Sequence, residues 1–313
     1  MLSIFWSSLS GVLIILIMIA AGFVMNERHW FTPDSPKAIS KIVTQVALPT
    51  YMISTITTKF TAAELKTLLP DLRYPVLSML ILFALSFAVA RALAIKKSHI
   101  GLFSSMFFNS NTIFVGLPIN QALFGDDSIP YVLIYYMCNT TFFWTLGTYL
   151  IQRDGEGEAQ FDLKTSLKKV FSPPLMGFLL GLVLVMLQIK LPAFLASDLQ
   201  YLGNLTPPLS MIFIGLSVSH VGVKQLVLGK DQLLILLGRF LVAPLLMATI
   251  VSWLPLPSLM KQVFIIQSAM PVMTNAPVVA RLYGADSDYA AVMVTETTLA
   301  TMVVIPILMV LMA

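Results

Sequence analysis

The sequence predicts an all-α polytopic membrane protein whose ten transmembrane helices form two inverted repeats of five helices each. Three observations support this fold class. First, 58% of the 313 residues are hydrophobic and only 11% are charged, whereas soluble domains carry about 25% charged residues. Second, uncharged runs of about 20 residues, the length that spans a bilayer, recur along the chain. Third, two of these runs are interrupted by prolines and amide side chains at matching positions of the two halves.

Ten predominantly apolar runs qualify as membrane spans, and a hydrophilic loop divides them into two sets of five. The runs cover residues 4–25, 42–58, 74–90, 100–124, 129–152, 170–189, 199–221, 233–254, 263–283 and 289–313. The first run has neither a basic segment before it nor a small-residue cleavage signal, so we expect it to be retained as a span. We therefore predict a first repeat at residues 1–152, a central loop at 153–169 and a second repeat at 170–313.

A constant offset of 159 residues relates the two halves. The residues that match at this offset are glycines and prolines, which set the shape of the backbone. They pair Gly22 with Gly181, Pro33 with Pro192, Pro49 with Pro208, and Pro118 with Pro277. Because each repeat has an odd number of spans, the second repeat enters the membrane from the opposite face, and the repeats are predicted to be inverted.

The distribution of basic residues predicts the orientation of the chain in the membrane. Twelve Lys and Arg residues lie in the odd-numbered loops and five in the even-numbered ones. Since cytoplasmic loops carry the excess of positive charge, we place the odd-numbered loops, including the central loop, in the cytoplasm. This orientation puts both termini outside the cell membrane.

The fourth and ninth spans are the two broken helices, and they are predicted to cross near the middle of the membrane. Their candidate breaks are Pro118, Pro271 and Pro277. The ends of half-helices can bind ions, since their N-terminal ends suit an anion and their C-terminal ends a cation. The polar or small residues near the breaks are candidate substrate-binding residues: Asn111, Thr112, Gly116, Thr274 and Asn275. The alternative is that these residues only satisfy the interrupted backbone, as hydroxyl groups often do within membrane helices.

Three charged residues fall within apolar runs, where charge is costly and commonly functional. Arg281 follows the second break and could hold a substrate carboxylate, or could extend to the cytoplasmic interface instead. Arg239 could likewise be interfacial. Glu296 lies deeper and could couple protons, form an ion pair with Arg239 or Arg281, or be a neutral acid.

The residues around the two breaks resemble the crossover helices of the auxin efflux carrier family. The first motif is Asn111-Thr112-x-x-x-Gly116-x-Pro118, and the second comprises Met270-Pro271, Pro277 and Arg281-Leu282-Tyr283. The resemblance implies the inverted-repeat fold shared with bile-acid/sodium symporters. In that fold, spans 1, 2, 6 and 7 form a scaffold, and spans 3–5 and 8–10 form a transport core. It also implies that an Asn of the first crossover, here Asn111, contacts a substrate carboxylate.

The short central loop resembles the bacterial members of that family, which include malate and malonate permeases. The resemblance therefore implies a secondary transporter for a small organic anion, with a dicarboxylate such as malate expected first. Another carboxylate, such as malonate, a monocarboxylate or an auxin-like acid, is the alternative substrate, and an anion channel is the alternative mechanism. A homodimer is plausible by the same analogy.

Other functional classes are not expected. The spans contain no clustered nucleophile, base or metal ligand, so we predict neither an enzyme nor a metal site nor a cofactor. No basic cluster with interleaved aromatic residues indicates nucleic-acid binding. The expected partners are the lipid bilayer, the organic anion and, through Glu296, protons.

Overall fold

The computed structural model describes residues 2–32, 34–155, 171–221 and 229–312, with side chains from residue 13 onward except at 220 and 221. The described chain is all-helical and contains no strand. Most of the predicted central loop, together with Pro33 of the repeat, lies outside the described residues. Four described helical stretches are long and apolar enough to cross a membrane. They are Ala62–Ala92, Ala193–Ser219, Lys230–Ser252 and Ser287–Met312.

Nine α-helices form the described part of the first half. In chain order they are α1 (Leu2–Glu27), α2 (Ser35–Ile42), α3 (Leu48–Lys59), α4 (Ala62–Leu68), α5 (Arg73–Ala92), α6 (Ile100–Phe108), α7 (Gly116–Phe124), α8 (Ile129–Phe142) and α9 (Thr148–Asp154). A π-helical turn, Val43–Ala47, joins α2 to α3, and a second, Phe143–Gly147, joins α8 to α9. Each of these joined pairs is therefore one continuous helical segment.

Eight further α-helices form the described part of the second half. They are α10 (Pro173–Met186), α11 (Ala193–Gly203), α12 (Thr206–Val221), α13 (Lys230–Leu237), α14 (Ala243–Ser252), α15 (Ser258–Ser268), α16 (Ala276–Tyr283) and α17 (Ser287–Met312). A third π-helical turn, Gly238–Val242, joins α13 to α14. Such turns are frequent at functional sites, because they displace a side chain from the regular helix surface.

Helix breaks occur in both halves where the sequence predicts them, and they recur within one residue of the same offset. The first lies between α6 and α7, at residues 109–115, and the second between α15 and α16, at residues 269–275. The half-helix after each break ends at a glycine with a φ of 72°, Gly125 and Gly284, a conformation that favours glycine. The repeated pattern of the sequence therefore corresponds to a repeated backbone shape.

The prolines near the breaks have two different positions. Pro271 lies within the second break, as predicted. Pro118 and Pro277 instead lie in the first turns of α7 and α16. Proline is tolerated there because a helix makes no use of the N–H groups of its first turn. These two prolines therefore begin the second half-helices and do not themselves interrupt the chain.

The two broken helices run in opposite directions past each other. Helices α6 and α16 pack against α9, whereas α7 and α15 pack against α8 near its start and against the turn Asp126–Ser128. The main-chain N–H of Asn111 donates to the carbonyl oxygen of Pro271, across 2.8 Å, and so joins the two breaks directly. Four helix ends thus lie in the same region: the C-terminal ends of α6 and α15 and the N-terminal ends of α7 and α16.

Two pairs of helices outside the broken helices pack closely against each other. Helix α1 packs along α12, and α3 packs along α10. Glycines lie where the backbones approach most closely, since Gly22 faces Ile212 and Gly177 faces Pro49. Small residues at such positions are typical of helix packing in membranes.

Candidate functional site

A cavity of about 230 Å³ lies where the two breaks meet. Residues from both broken helices, from the α2–α3 and α8–α9 segments, and from the start of α10 form its wall. The lining residues are Ser40, Thr44, Gln45, Leu48, Asn111, Thr112, Ile113, Phe114, Tyr136, Thr140, Trp144, Ser172, Pro173, Pro174, Met273, Thr274 and Asn275. None of these described lining residues carries a formal charge, and hydroxyl and amide groups provide the polarity.

Asn111 is held rigidly at this cavity by three hydrogen bonds of its own. Besides the bond from its N–H to Pro271, its carbonyl oxygen accepts from the N–H of Gly116 at 3.0 Å. Its side-chain Oδ1 accepts from the N–H of Phe114 at 3.1 Å. The remaining group, Nδ2, has no hydrogen-bond partner in the described structure, although the residue is only 2% exposed. Since buried polar groups are normally paired, Nδ2 is a donor available to a bound molecule.

Three further candidate residues line the same cavity as Asn111: Thr112, Thr274 and Asn275. Asn275 occupies the position immediately before α16, and its side chain makes no capping hydrogen bond there. Gly116, the fifth candidate, lies beside the cavity and does not line it. A Cβ atom at Gly116 would lie 2.3 Å from Oε1 of Gln267, whose Nε2 donates to the carbonyl oxygen of Thr112 at 3.2 Å. The small size of Gly116 therefore lets the two broken helices cross closely.

Two helix N-termini at the wall can favour an anion although the side chains of the cavity are neutral. Helices α7 and α16 both begin at its wall, directly after the lining residues of each break. The N-terminus of a helix carries about half a positive charge, so two such ends supply roughly one positive charge. Backbone ends of this kind bind carboxylate and phosphate groups in many proteins.

The two charged candidates of the sequence lie elsewhere. Arg281 is exposed in the last turn of α16, at the end that faces away from the cavity. The contact of Arg281 with a substrate stays a prediction. The position of Arg281 at the far end of α16 does not favour it. Glu296 is buried in α17 at 7% exposure and is not part of the cavity wall. The hydrogen bonds of Arg239 go to main-chain carbonyl oxygens, so the predicted ion pair with Glu296 is not what holds its guanidinium.

The sequence interpretation missed several residues of the site. Tyr136 and Trp144 line the cavity, and neither is among the candidates that the sequence predicts. Gln45 also lines it and is likewise not among those candidates. Arg239, weighed as an interfacial residue, is 1% exposed. Gln267 could be identified from the sequence alone. It is an amide in an otherwise apolar stretch, one residue before the end of α15.

Thr297 connects α17 to the second break, and its replacement by valine is expected to destabilise the protein. Its Oγ1 accepts from the N–H of Val272 at 3.0 Å and donates to the carbonyl oxygen of Met293 at 2.6 Å. Thr297→Val would leave a buried N–H unpaired, which costs about 1 to 3 kcal/mol. We expect thermal unfolding in detergent to shift down by roughly 2 to 6 °C.

The adjacent Thr298 provides the matched control. It is also buried, but its hydroxyl donates only to the carbonyl oxygen of Val294 in its own helix. Such a bond adds little to a helix that is already formed, so Thr298→Val is expected to change the unfolding temperature much less. Equal shifts for the two variants would contradict a specific role for the bond between Thr297 and Val272.

The sequence is similar to known proteins over nearly its whole length. A sequence model of the family described as "Membrane transport protein" matches residues 8–309. An uncharacterized transporter of Methanocaldococcus jannaschii is 27% identical over 301 residues, which cover 94% of this chain and 95% of that protein. An uncharacterized transporter of Methanothermobacter thermautotrophicus is 27% identical over 310 residues, 97% of this chain and 98% of that protein. The similarity thus includes both broken helices and the cavity between them.

Proposed function

The chain belongs to the membrane transport protein family, that of the auxin efflux carriers, and we propose on this premise that it is a secondary transporter for a small organic anion. The unpaired Nδ2 of Asn111 is the observation that carries the proposal. It is a fixed donor at a neutral cavity, next to the positive ends of two half-helices. A carboxylate oxygen that accepts from Nδ2 would satisfy this donor and would interact favourably with both helix ends.

A dicarboxylate such as malate is the first substrate to test, because the bacterial relatives suggested by the crossover motifs include malate permeases. The electrostatics of the cavity favour a second candidate, a monocarboxylate. Two helix N-termini supply roughly one positive charge, and the described lining residues contain no Lys or Arg that could neutralise a second carboxylate. Malate would therefore bind best with one of its carboxyl groups protonated. Malonate or an auxin-like acid would be subject to the same constraint.

Transport would proceed by alternating access between two inverted five-helix repeats. The opposite directions of the two broken helices and the recurrence of helix bounds at one offset support the inverted arrangement. The close packing of α1 with α12 and of α3 with α10 supports a scaffold formed by spans 1, 2, 6 and 7. The core formed by the remaining spans would carry the bound anion past this scaffold. We further propose a cell-membrane location with both termini outside, proton coupling through Glu296, and a homodimer.

A half-exposed ion pair lies at the end of α3 that is remote from the cavity, and we propose that it acts as a gate. Nζ of Lys59, at the end of α3, lies 3.7 Å from Oδ2 of Asp126, which follows α7. The cavity reaches Ser40 in the segment that contains α3, and about 28 Å of helix separates that residue from Lys59. We propose that in this conformation the pair keeps the Lys59 end closed, while the cavity opens towards the Ser40 end.

Reversing one charge of this pair, with Lys59→Glu or Asp126→Lys, is expected to change the maximal uptake rate by a few-fold. The effect is modest because both side chains are about half exposed, and exposed ion pairs contribute little energy. The double reversal should restore the wild-type rate. Lys37→Glu is the control, since Lys37 pairs with Asp34 within one surface segment. A double reversal slower than both single variants would exclude this pair as the gate.

Uptake of labelled substrate into proteoliposomes tests the proposed function. Malate and a monocarboxylate of similar size should be compared with and without imposed pH, sodium and voltage gradients. Saturable uptake with counterflow is expected for a carrier. The preferred substrate shows whether the site binds an anion with one negative charge or with two. Conductance far above carrier turnover would point to a channel instead. Absence of uptake of any carboxylate by folded protein would overturn the proposal.

A further inference from the structure

Arg239 is a buried cation whose surroundings are formed by the backbone of both broken helices. It lies in the π-helical turn Gly238–Val242, and it is 1% exposed. Its Nη1 donates to the carbonyl oxygen of Phe107 at 3.1 Å, and its Nε to that of Met270, also at 3.1 Å. Nη2 donates to the carbonyl oxygens of Ser268 at 2.5 Å and Met270 at 3.0 Å.

These three carbonyl oxygens belong to the C-terminal ends of the first half-helices. Phe107 lies in the last turn of α6, Ser268 is the last residue of α15, and Met270 follows within the break. The last carbonyl groups of a helix have no partner within it, and each end carries about half a negative charge. Two such ends that converge on one guanidinium balance its single positive charge, which explains how this charge is tolerated in an apolar core.

The approach of the guanidinium depends on the neighbouring Gly238. A Cβ atom at that position would lie 2.2 Å from Cε2 of the Phe107 ring, so only glycine lets this helix approach the end of α6 so closely. The arrangement is also asymmetric between the repeats. The residue 159 positions before Arg239 is Leu80. One arginine, contributed by the second half alone, therefore serves the half-helix ends of both repeats.

In many transporters, the C-terminal ends of broken helices and the unwound carbonyl groups beside them coordinate a sodium ion or a proton. Here the corresponding carbonyl groups already accept hydrogen bonds from the side chain of Arg239. We propose that Arg239 is a tethered cation that takes the place of a coordinated metal ion and holds the two broken helices together at their C-terminal ends. Arg239 is thus a positioning residue, since it lies outside the cavity wall and acts through the backbone that carries Asn111.

The proposal has a consequence for ion dependence. Because the guanidinium already donates to these carbonyl oxygens, they have no need of a dissolved cation. The stability of the wild-type protein should be the same in sodium chloride and in choline chloride. Transport, if the proposed function is right, should be equally insensitive to replacing sodium by choline. The stability measurement needs no substrate, so it remains decisive even if the proposed transport function fails.

Thermal unfolding of Arg239 variants in detergent tests the tethered cation directly. Arg239→Ala is expected to unfold roughly 5 to 10 °C below the wild type, because two helix ends lose their shared counter-charge. Millimolar guanidinium chloride should raise its unfolding temperature by entering the vacated space. Urea, which has the same shape without the charge, should not raise it. Arg239→Met, which fills the space with an uncharged chain, should be destabilised and should not respond to guanidinium.

One further variant makes the test independent of whether Arg239→Ala folds, and two outcomes would overturn the proposal. Arg239→Lys retains the positive charge and should fold better than Arg239→Met, even if Arg239→Ala does not fold at all. Arg239→Met as stable as the wild type would overturn the proposal, because it would show that packing alone is required. A saturable increase of wild-type stability with sodium, absent with choline, would overturn it as well, since it would reveal a metal site that Arg239 does not replace.

Discussion

Replacing Asn111 by alanine is expected to reduce the kcat/KM for anion uptake by about 10- to 100-fold. Such a loss corresponds to one hydrogen bond to a charged group, about 1.5 to 3 kcal/mol. Nδ2 of Asn111 has no partner among the described residues, so its most favourable interaction is with a bound molecule. The alanine variant also removes the acceptor for the N–H of Phe114, which predicts a small loss of stability besides the large loss of affinity.

Asn120 offers the matched control for this substitution. It is as deeply buried as Asn111, but it lies within α7 and its Nδ2 already donates to the carbonyl oxygen of Gly116 at 2.7 Å. Asn120→Ala should therefore leave the KM unchanged. The experiment measures the concentration dependence of uptake for both variants, with unfolding temperatures recorded for each. An unchanged kcat/KM for Asn111→Ala would remove Asn111 from the proposed binding site.

Replacing Gly215 by valine is expected to abolish the folded state. Gly215 lies in α12 against α1, and a Cβ atom there would lie 2.1 Å from the carbonyl oxygen of Ile19 and 2.6 Å from the main-chain nitrogen of Phe23. Both neighbours are backbone atoms, which cannot move aside as a side chain can. The two helices would have to separate along their length, with a loss of packing that exceeds the usual cost of an overpacked core, about 1 to 3 kcal/mol.

The yield of monodisperse protein after detergent extraction measures this effect. Gly229→Val is the control, because a Cβ atom at Gly229 would meet only the side-chain end of Gln232, at the beginning of α13. We expect near-normal yield for Gly229→Val and almost none for Gly215→Val. A normal yield for Gly215→Val would mean that α1 and α12 are not held at the close distance described above.

Much of the fold could be predicted because the sequence marks it with residues that constrain the backbone. Pro118, Pro277 and the glycines after them recur at one offset, and helix breaks lie just before the prolines. The amide and hydroxyl side chains of the cavity could be predicted for a related reason. Asn111, Thr112, Thr274 and Asn275 belong to the breaks themselves, so local chain position was enough to bring them together.

The remaining parts of the site depend on contacts between distant segments, which no local pattern reveals. Arg239 bonds to a carbonyl oxygen 132 residues earlier in the chain and to others about 30 residues later. Its position within the span gave no indication of these partners. The substrate contact of Arg281 stays a prediction, and the geometry does not favour it, since α16 has only eight residues. A residue in its last turn lies roughly 8 Å along the axis from the N-terminal end at the cavity.

The π-helical turn at Val43–Ala47 makes the wall of the cavity sensitive to chain length. Such a turn accommodates one residue more than an α-helical turn. Deleting a single residue there would rotate the preceding segment by about 100° relative to α3. Ser40 would then turn off the cavity wall, while Lys59 would stay at the opposite end. Single-residue insertions and deletions at this turn therefore offer a route by which related chains could acquire a different substrate preference without any substitution in the broken helices.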